Sequence, residues 1–276
     1  MPKNIQSENR IGYNSKNLPN STARAQACNP KDILQNEELI VLKMPSQARI
    51  AGSLFYPFNY AKTSPFETTK STFTVKYPGI LLFHAWKGNR YDWMPLVLRL
   101  QAAGFAVFAI DFRNHGESSK IHEFIAGEST KQIIDDAKLS YEVFSCLDFV
   151  DKNNISIVGA SIGATACIQL CEYVNSSKKY PALHSMTLLS PAESYFSVNI
   201  ENSILNCSST PTFFFLEKQD PTSNNSENFD SGYKLYNDFS GEKRISIFND
   251  IGHGAKMLKL DLIIDSIVEW LKHNQQ

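Results

Sequence analysis

The residues with the clearest chemical potential form the segment Gly159-Ala160-Ser161-Ile162-Gly163. A strand-like apolar run, 155–158, precedes this segment, and a helix-like run of small residues, 164–168, follows it. A Gly-x-Ser-x-Gly motif between a strand and a helix is typical of a tight turn that lifts the serine hydroxyl above a sheet. Glycines are expected on both sides because such a turn leaves no room for a β-carbon. The pattern predicts that Ser161 is a nucleophile.

A nucleophilic serine needs a neighbouring base, because its hydroxyl proton is tightly held at neutral pH. Three histidines follow Ser161 in the chain, at positions 184, 253 and 273. His184 is at the start of a predicted strand and therefore at the wrong edge of the sheet, and His273 is close to the end of the chain. His253 lies between two glycines, after the last predicted strand and before the last helix. His253 is therefore the predicted general base.

The base in turn needs a carboxylate that orients it. Asp220 follows the apolar run 213–216 by a few residues and precedes His253, so it is the predicted acid. Asp250 is an alternative, although it is too close in sequence to His253 for a comfortable side-chain approach. Glu217 also stays open, because the sequence does not fix where the strand ends.

A tetrahedral intermediate needs two N–H donors that point at the developing oxyanion. The backbone N–H of Ile162, which follows the nucleophile, is predicted to be the first donor. The second is expected in the loop His84-Ala85-Trp86-Lys87-Gly88, where the backbone N–H of Trp86 is the predicted group.

The elements that must position these residues alternate between strands and helices. Eight strands are predicted, at 38–43, 49–55, 79–84, 105–110, 155–158, 185–189, 212–216 and 243–248. Helices are predicted at 93–103, 130–149, 162–174 and 259–272. The alternation predicts an α/β fold with a mostly parallel, doubly wound sheet of roughly eight strands and helices on both faces. Ligands bind beyond the carboxyl ends of such strands, where Ser161, Asp220 and His253 would emerge.

The composition is that of a globular protein with a sizeable core. Of the 276 residues, 42% are hydrophobic and 20% charged, and the formal net charge is -1, so no nucleic-acid partner is expected. The chain shows no apolar run long enough for a transmembrane segment, and residues 1–20 lack the apolar core of a secretory signal. The five cysteines form no C-x-x-C pair, and Cys167 and Cys171 are expected to be buried thiols. A cytoplasmic location is expected.

The domain organisation is predicted to be simple. Residues 1–36 are polar and are interpreted as an N-terminal arm that is disordered or loosely wrapped, and 37–276 as a single domain. Between the predicted strands that end at Leu189 and begin at Thr212 there are only about 22 residues, too few for a helical cap. A minimal lid and an open site are therefore expected, with the 112–130 loop as the best candidate for a small cover.

From about residue 49 to residue 271 the chain resembles the α/β-hydrolase fold superfamily. The matching segments are the Ser161 turn, Asp220, Gly252-His253-Gly254, His84-Ala85-Trp86-Lys87-Gly88 and Asp111-Phe112-Arg113-Asn114-His115-Gly116-Glu117-Ser118. The resemblance implies an eight-stranded sheet and a Ser–His–Asp triad, as in esterase-like serine hydrolases. Ala85 and Asn114 stand where the superfamily usually has glycine, and asparagine is the residue that best tolerates a positive φ after glycine.

These residues predict a serine hydrolase that cleaves a carboxylic ester or a related acyl bond through an acyl-enzyme. The expected partner is a small-molecule acyl substrate, and neither a cofactor nor a metal is expected. A thioesterase or peptidase with the same triad stays open, because the shape of the pocket sets the leaving group. A non-catalytic, ligand-binding member of the fold is the remaining hypothesis.

Other polar residues near these motifs are interpreted as structural. His84 and His115 are expected to shape loops, and Arg113 to form an ion pair. Lys87 and Arg90 are expected in a solvated loop, with attraction of an anionic substrate as the alternative.

Overall fold

The computed structural model describes residues 5–6, 37–44, 46–60, 75–120, 125–222 and 227–274. The strands are β1 (Ile5–Gln6), β2 (Glu37–Lys43), β3 (Arg49–Phe55), β4 (Tyr77–Phe83), β5 (Ala106–Ile110), β6 (Val150–Ala160), β7 (Met186–Leu189), β8 (Ser194–Tyr195), β9 (Val198–Asn199), β10 (Thr212–Glu217) and β11 (Lys243–Phe248). The α-helices are α1 (Met94–Ala102), α2 (Glu128–Phe144), α3 (Ile162–Ser176), α4 (Glu201–Leu205), α5 (Glu227–Asp238) and α6 (Asp261–His273). Apart from β1, the predicted arm 1–36 lies outside the described residues.

The strands form one large sheet in the order β1-β2-β3-β5-β4-β6-β7-β10-β11, and β8 and β9 form a separate hairpin. From β5 through β4, β6, β7 and β10 to β11 all neighbours are parallel, whereas β1, β2 and β3 add antiparallel strands at one edge. All eight predicted strands are present, and β1, β8 and β9 are additional short ones. The predicted α/β class is confirmed.

Alternate residues of the central strands enter two different cores, because successive side chains of a strand point to opposite faces. Leu81 and Phe83 of β4 pack into the core that contains the buried faces of α2 and α3. Ile80 and Leu82 pack into the opposite core with α1 and α6. The sheet is thus covered on both faces, which explains why its central strands are continuous apolar runs.

Helix α6 presents one apolar stripe to the sheet. Its buried side chains are Ile263, Ile264, Ile267, Trp270 and Leu271. Complete burial of an isoleucine or leucine side chain stabilises a fold by about 1.5–3 kcal/mol, so this stripe fixes the helix. Leu260, which lies within the predicted helix 259–272, precedes the helix as its N-cap and is exposed.

Helix α2 ends earlier than its prediction of 130–149. It stops at Phe144, and tight backbone turns lead through residues 145–149 directly into β6. The Phe149 ring does not lie on a helix face, since it packs against the rings of Tyr56 at 5.1 Å and Tyr60 at 5.5 Å. Burial of this ring beside β6 therefore overrides the helical pattern of the preceding sequence.

Two further findings concern the membrane and the cysteines. Within the described residues, no helix combines the length and the apolarity needed to cross a bilayer. Cys167 and Cys171 are buried free thiols, as predicted, and so is Cys207, whereas Cys146 is exposed. Cys28 lies outside the described residues.

Candidate active site

Ser161 occupies a strained turn between the end of β6 and the start of α3. Its backbone dihedrals are φ 56 and ψ -119, a conformation that L-residues rarely adopt. The Ser161 N–H donates to the Leu189 carbonyl of β7 at 2.9 Å, and its own carbonyl accepts from the N–H of Ala164 at 2.8 Å to begin the helix. These contacts hold the turn at the carboxyl edge of the parallel strands, with the Ser161 side chain 5% exposed.

Both glycines of the motif are required because a β-carbon would clash with neighbouring backbone atoms, and not because their φ angles are positive. A β-carbon at Gly159 would lie 2.3 Å from the Gly163 carbonyl oxygen. A β-carbon at Gly163 would lie 2.1 Å from the Phe83 carbonyl oxygen and 2.7 Å from that of His84. The start of α3 is therefore packed directly against the end of β4 and the loop that follows it.

Asp220 and His253 come together although 33 residues separate them. His253 Nδ1 lies 2.5 Å from Asp220 Oδ2. The Thr222 hydroxyl donates to Asp220 Oδ1 at 2.5 Å and lies 3.1 Å from His253 Nδ1, and the Thr222 N–H also donates to Oδ1, at 2.9 Å. Since the carboxylate accepts a hydrogen bond from Nδ1–H, the neutral imidazole keeps a lone pair on Nε2.

The surroundings of Asp220 favour its ionised form. Burial alone would raise the pKa of this carboxyl, but the hydrogen bonds from His253 and Thr222 outweigh burial and leave the pKa below its ordinary value. Asp220 therefore remains negatively charged at neutral pH.

The other two carboxylates considered for this role lie elsewhere. Glu217, the last residue of β10, is buried and accepts from the N–H groups of Asp250 at 2.8 Å and Ile251 at 2.6 Å. Its carboxylate thus fixes the backbone of the loop that carries His253. The other candidate, Asp250, is exposed, and its backbone lies in a turn with a φ of 61°.

The loops that carry the predicted residues meet at one place. A β-carbon at Gly254 would lie 3.2 Å from the Ala160 β-carbon and 3.7 Å from that of Ala85, so the residues that flank His253, Ser161 and Trp86 are neighbours. The Gly254 N–H donates to the Ser190 hydroxyl at 3.0 Å. Within the described structure the hydrogen-bond partners of the His253 ring are Asp220 and Thr222, and Ser161 is not among them.

The loop after β4 is braced by a neutral histidine. His84 Nδ1 donates to the Ala85 carbonyl at 2.7 Å, and Nε2 accepts from the Phe112 N–H at 3.0 Å. Burial lowers the pKa of His84 to about 3, which is consistent with this uncharged role. The half-buried Trp86 ring packs edge-on against the His115 ring at 4.8 Å. The structural interpretation of His84 and His115 is thereby supported.

The Ile162 N–H is at the start of α3, next to the loop that carries Trp86. Among the described residues no backbone carbonyl accepts from it, as is usual for the first N–H groups of a helix. An N-terminal N–H of this kind is suited to a developing negative charge.

A model of the alpha/beta hydrolase fold family matches residues 78–237, more than half of the chain. The chain belongs to the alpha/beta hydrolase fold family. No curated protein sequence matches it significantly.

Solved structures of esterases resemble this chain at low sequence identity. Acetyl xylan esterase 1 from Thermoanaerobacterium sp. JW/SL YS485 is 15% identical over 100% of this chain and 89% of its own, with a TM-score of 0.68. An esterase of Pyrococcus furiosus is 16% identical over 90% of this chain and 94% of its own, with a TM-score of 0.67. The acetyl xylan esterase of Paenibacillus sp. R4 is 17% identical over 90% and 86%, with a TM-score of 0.64.

The charged residues beside the site of this alpha/beta hydrolase are mostly structural. Arg90 was expected in a solvated loop, but this expectation is wrong, because the residue is only 1% exposed. Its guanidinium pairs with Asp111 and, at 2.5 Å, with Glu117. A buried guanidinium must be paired with carboxylates to offset the cost of its desolvation. The sequence around Arg90 does not reveal these partners. Arg113 forms the predicted ion pair, with Asp136 at 2.7 Å.

Asn114 adopts the positive φ expected at its position, 66°. It stands where the family usually has glycine, so asparagine provides the required left-handed backbone here. The exposed Lys87 also has a positive φ, 61°, in the loop that carries Trp86.

The segment between β7 and β10 is short, as predicted, but it does not leave the nucleophile open. Its β8–β9 hairpin lies beside α3, and the Phe196 ring packs against Trp86 at 5.1 Å. The 112–130 loop, the expected cover, is described only in part, because residues 121–124 lie outside the described residues. The sequence did not predict the hairpin, because each of its strands has only two residues and such short strands show no clear pattern.

Within the described residues, no group of three or more His, Cys, Asp or Glu side chains is arranged to hold a metal ion. The functional groups that the alpha/beta hydrolase brings together at this edge are a hydroxyl, an imidazole, a carboxylate and backbone N–H groups.

Proposed function

We propose that this alpha/beta hydrolase is a serine esterase that cleaves small-molecule carboxylic esters through an acyl-enzyme. The observation that carries the proposal is the Asp220–His253 pair, in which His253 Nδ1 lies 2.5 Å from Asp220 Oδ2. The loop that carries His253 packs against the strained Ser161 turn. This is the arrangement needed to draw a proton from a serine hydroxyl.

In the proposed reaction Ser161 Oγ attacks the ester carbonyl carbon while His253 Nε2 accepts the hydroxyl proton. The imidazolium that forms is stabilised by the ionised Asp220 through Nδ1. His253 then returns the proton to the leaving alcohol as the tetrahedral intermediate collapses to the acyl-enzyme. Water, deprotonated by the same imidazole, attacks the acyl carbonyl, and a second collapse releases the carboxylic acid and regenerates Ser161.

The oxyanion is stabilised by the N–H groups of Ile162 and Trp86 in this mechanism. The close packing of Gly163 against the Phe83 and His84 carbonyls supports this assignment, because it holds the start of α3 beside the loop that contains Trp86. Donors fixed in place before the reaction need no reorganisation when charge develops.

A second candidate, a ligand-binding member of the fold without catalysis, is favoured by one observation. Ser161 is not hydrogen-bonded to His253, whose ring contacts Asp220 and Thr222 instead. Catalytic hydrogen bonds are often loose without substrate and tighten in the Michaelis complex. In the proposed esterase the Ser161 hydroxyl turns toward His253 Nε2 when an ester binds.

Covalent labelling separates the two candidates. A fluorophosphonate probe is expected to modify wild-type protein at Ser161, as mapped by peptide mass spectrometry, and to leave Ser161→Ala unmodified. Ser176→Ala is the matched control, because Ser176 is exposed at the far end of the same helix, and this variant should label like wild type. Absence of labelling together with absence of p-nitrophenyl ester turnover would support the ligand-binding candidate.

Thr222 is expected to act as a positioning residue for the Asp220–His253 pair. In Thr222→Val the hydroxyl that donates to Asp220 Oδ1 is lost, while the backbone donor at 2.9 Å remains. Because a hydrogen bond to a charged group contributes about 1.5–3 kcal/mol, kcat/KM for p-nitrophenyl acetate should fall roughly tenfold or more. Thr222→Ser, which retains the hydroxyl, should recover most of this loss, and equal loss in both variants would contradict the assignment.

The same substitution has a predictable effect on stability against pH. Asp220 has a depressed pKa in the folded protein, so its contribution to stability is complete above its ordinary pKa of 3.8 and is lost as pH falls through the lower folded value. Removal of the Thr222 hydroxyl brings the folded pKa closer to the ordinary one. The difference in unfolding free energy between pH 5 and pH 3, measured in urea, should therefore be smaller in Thr222→Val than in wild type.

A further inference from the structure

The β8–β9 hairpin brings a tyrosine to the nucleophile. The Tyr195 hydroxyl donates to the Ser190 carbonyl at 2.9 Å, while the Ser161 N–H donates to the carbonyl of the preceding residue, Leu189, also at 2.9 Å. Strand β8, which contains Tyr195, also contacts α3, the helix that begins directly after Ser161, so the phenol lies near the Ser161 turn. Burial raises the pKa of the Tyr195 phenol, and the nearby Ser161 hydroxyl and Asp220 carboxylate also influence this pKa.

The hairpin turn is strained and anchored. Phe196 and Ser197 have φ values of 47° and 66°, and a positive φ is unusual for a bulky residue such as phenylalanine. The Phe196 carbonyl accepts from the Gly127 N–H at 2.7 Å, and its ring contacts Trp86 at 5.1 Å. Contacts on both sides of the site thus hold the turn in a conformation that the chain alone disfavours.

The base of the hairpin is fixed to α5. The Glu193 N–H donates to the Ser231 hydroxyl at 2.7 Å, and the Ile200 N–H donates to the Glu193 carbonyl at 2.9 Å. Lys234 of α5 pairs with Glu193 and, at 2.7 Å, with Glu201. These contacts fix the hairpin beside the site, and the Tyr195 hydroxyl anchors it to the Ser190 carbonyl at the end of β7.

We propose that Tyr195 is a specificity-determining residue whose ring fills the space beside Ser161 and restricts the substrate to short acyl chains, from acetyl to butyryl. This inference rests on the proposed esterase function and names its substrate class. A methylene that an apolar pocket accepts improves binding about fourfold, whereas one that meets a fixed aromatic wall gains nothing and must displace the wall. The rate should therefore fall, rather than rise, as the acyl chain lengthens.

The test is a chain-length profile with p-nitrophenyl acetate, butyrate, octanoate and dodecanoate, measured as kcat/KM. Wild type should prefer acetate and butyrate over octanoate by roughly a hundredfold. In Tyr195→Ala and Tyr195→Val that ratio should fall at least tenfold, because the smaller side chains leave room for the acyl chain. Tyr195→Phe keeps the ring without the hydroxyl and should keep the wild-type ratio, whatever its absolute rate. Tyr233→Ala, which truncates an exposed tyrosine on α5, is the control for tyrosine removal elsewhere.

Three results would overturn the inference. The first is a wild-type rate on octanoate equal to that on acetate, which requires no variant to fold. The second is an unchanged ratio in the folded Ala and Val variants, and the third is the same shift in Tyr195→Phe, which would assign the effect to the hydroxyl. Fluorophosphonate labelling of Ser161 is read in parallel. A labelled Ser161 with a flat chain-length profile refutes this inference alone, whereas an unlabelled Ser161 with no ester turnover refutes the proposed function.

Discussion

Replacement of His253 with alanine is expected to lower kcat for p-nitrophenyl acetate by about ten-thousandfold, with a much smaller change in KM. In the proposed mechanism the imidazole removes the Ser161 proton during attack and returns it to the leaving group, so its loss affects the transition state more than substrate binding. The measurement is steady-state kinetics over a range of ester concentrations. His273→Ala is the matched control, since His273 is exposed at the end of α6, and its kinetics should stay within about twofold of wild type.

A double variant makes this prediction more specific. Residues that act as one catalytic unit are strongly non-additive, so Ser161→Ala combined with His253→Ala should be about as slow as either single variant. Multiplication of the two single losses would show that Ser161 and His253 act independently. A His253→Ala enzyme that retains more than a tenth of wild-type kcat would contradict the assignment of the base.

Gly163→Ala is expected to destabilise the fold by about 2–4 kcal/mol and to abolish most turnover. The added β-carbon would lie 2.1 Å from the Phe83 carbonyl oxygen, and backbone atoms cannot move aside as the end of a flexible side chain can. Alanine also improves helix propensity by about 1 kcal/mol over glycine, so the steric penalty must exceed this gain before any loss appears. Unfolding in urea, with activity measured on the folded fraction, gives both quantities.

Gly104→Ala separates steric from conformational cost. A β-carbon at Gly104 meets nothing within 4 Å, but its φ is 91°, so alanine there should cost about 1–2 kcal/mol from backbone strain. Activity should be retained, because Gly104 is at the end of α1, away from the site. A Gly163→Ala protein as stable as wild type would show that α3 can shift away from β4, and the close packing would then not explain the glycine.

The central strands β4, β5, β7 and β10 were predictable because each is a short, mostly buried apolar run between turn-forming residues. Burial on both faces leaves little else that such a run can form. Helix ends were less predictable, as residues 145–149 show, since Phe149 follows a helical pattern but is drawn into the core by Tyr56 and Tyr60. Local sequence does not contain these long-range ring contacts.

At the site, sequence order and strand ends predicted that Asp220 and His253 act together, and the structure places His253 Nδ1 2.5 Å from Asp220 Oδ2. Thr222 could have been anticipated, because an aspartate that accepts from the N–H two residues later is a common turn. Glu217 and Tyr195 could not, because their roles depend on the 250–251 backbone and on the placement of a hairpin. The burial of Arg90 was not predicted either, because its carboxylate partners Asp111 and Glu117 lie more than 20 residues away in sequence.

The left-handed backbone conformations have a consequence for the thermal resistance of this protein. Of the non-glycine residues described with positive φ, all but Gln47 lie in the loops around the site: Lys87, Asn114, Ser161, Ser190, Phe196, Ser197 and Asp250. Each costs about 1 kcal/mol or more relative to a relaxed backbone. Glycine would relieve this strain, but at Ser161 it would also remove the nucleophile. At Ser161, selection for heat resistance alone would therefore favour glycine, whereas the proposed reaction requires serine.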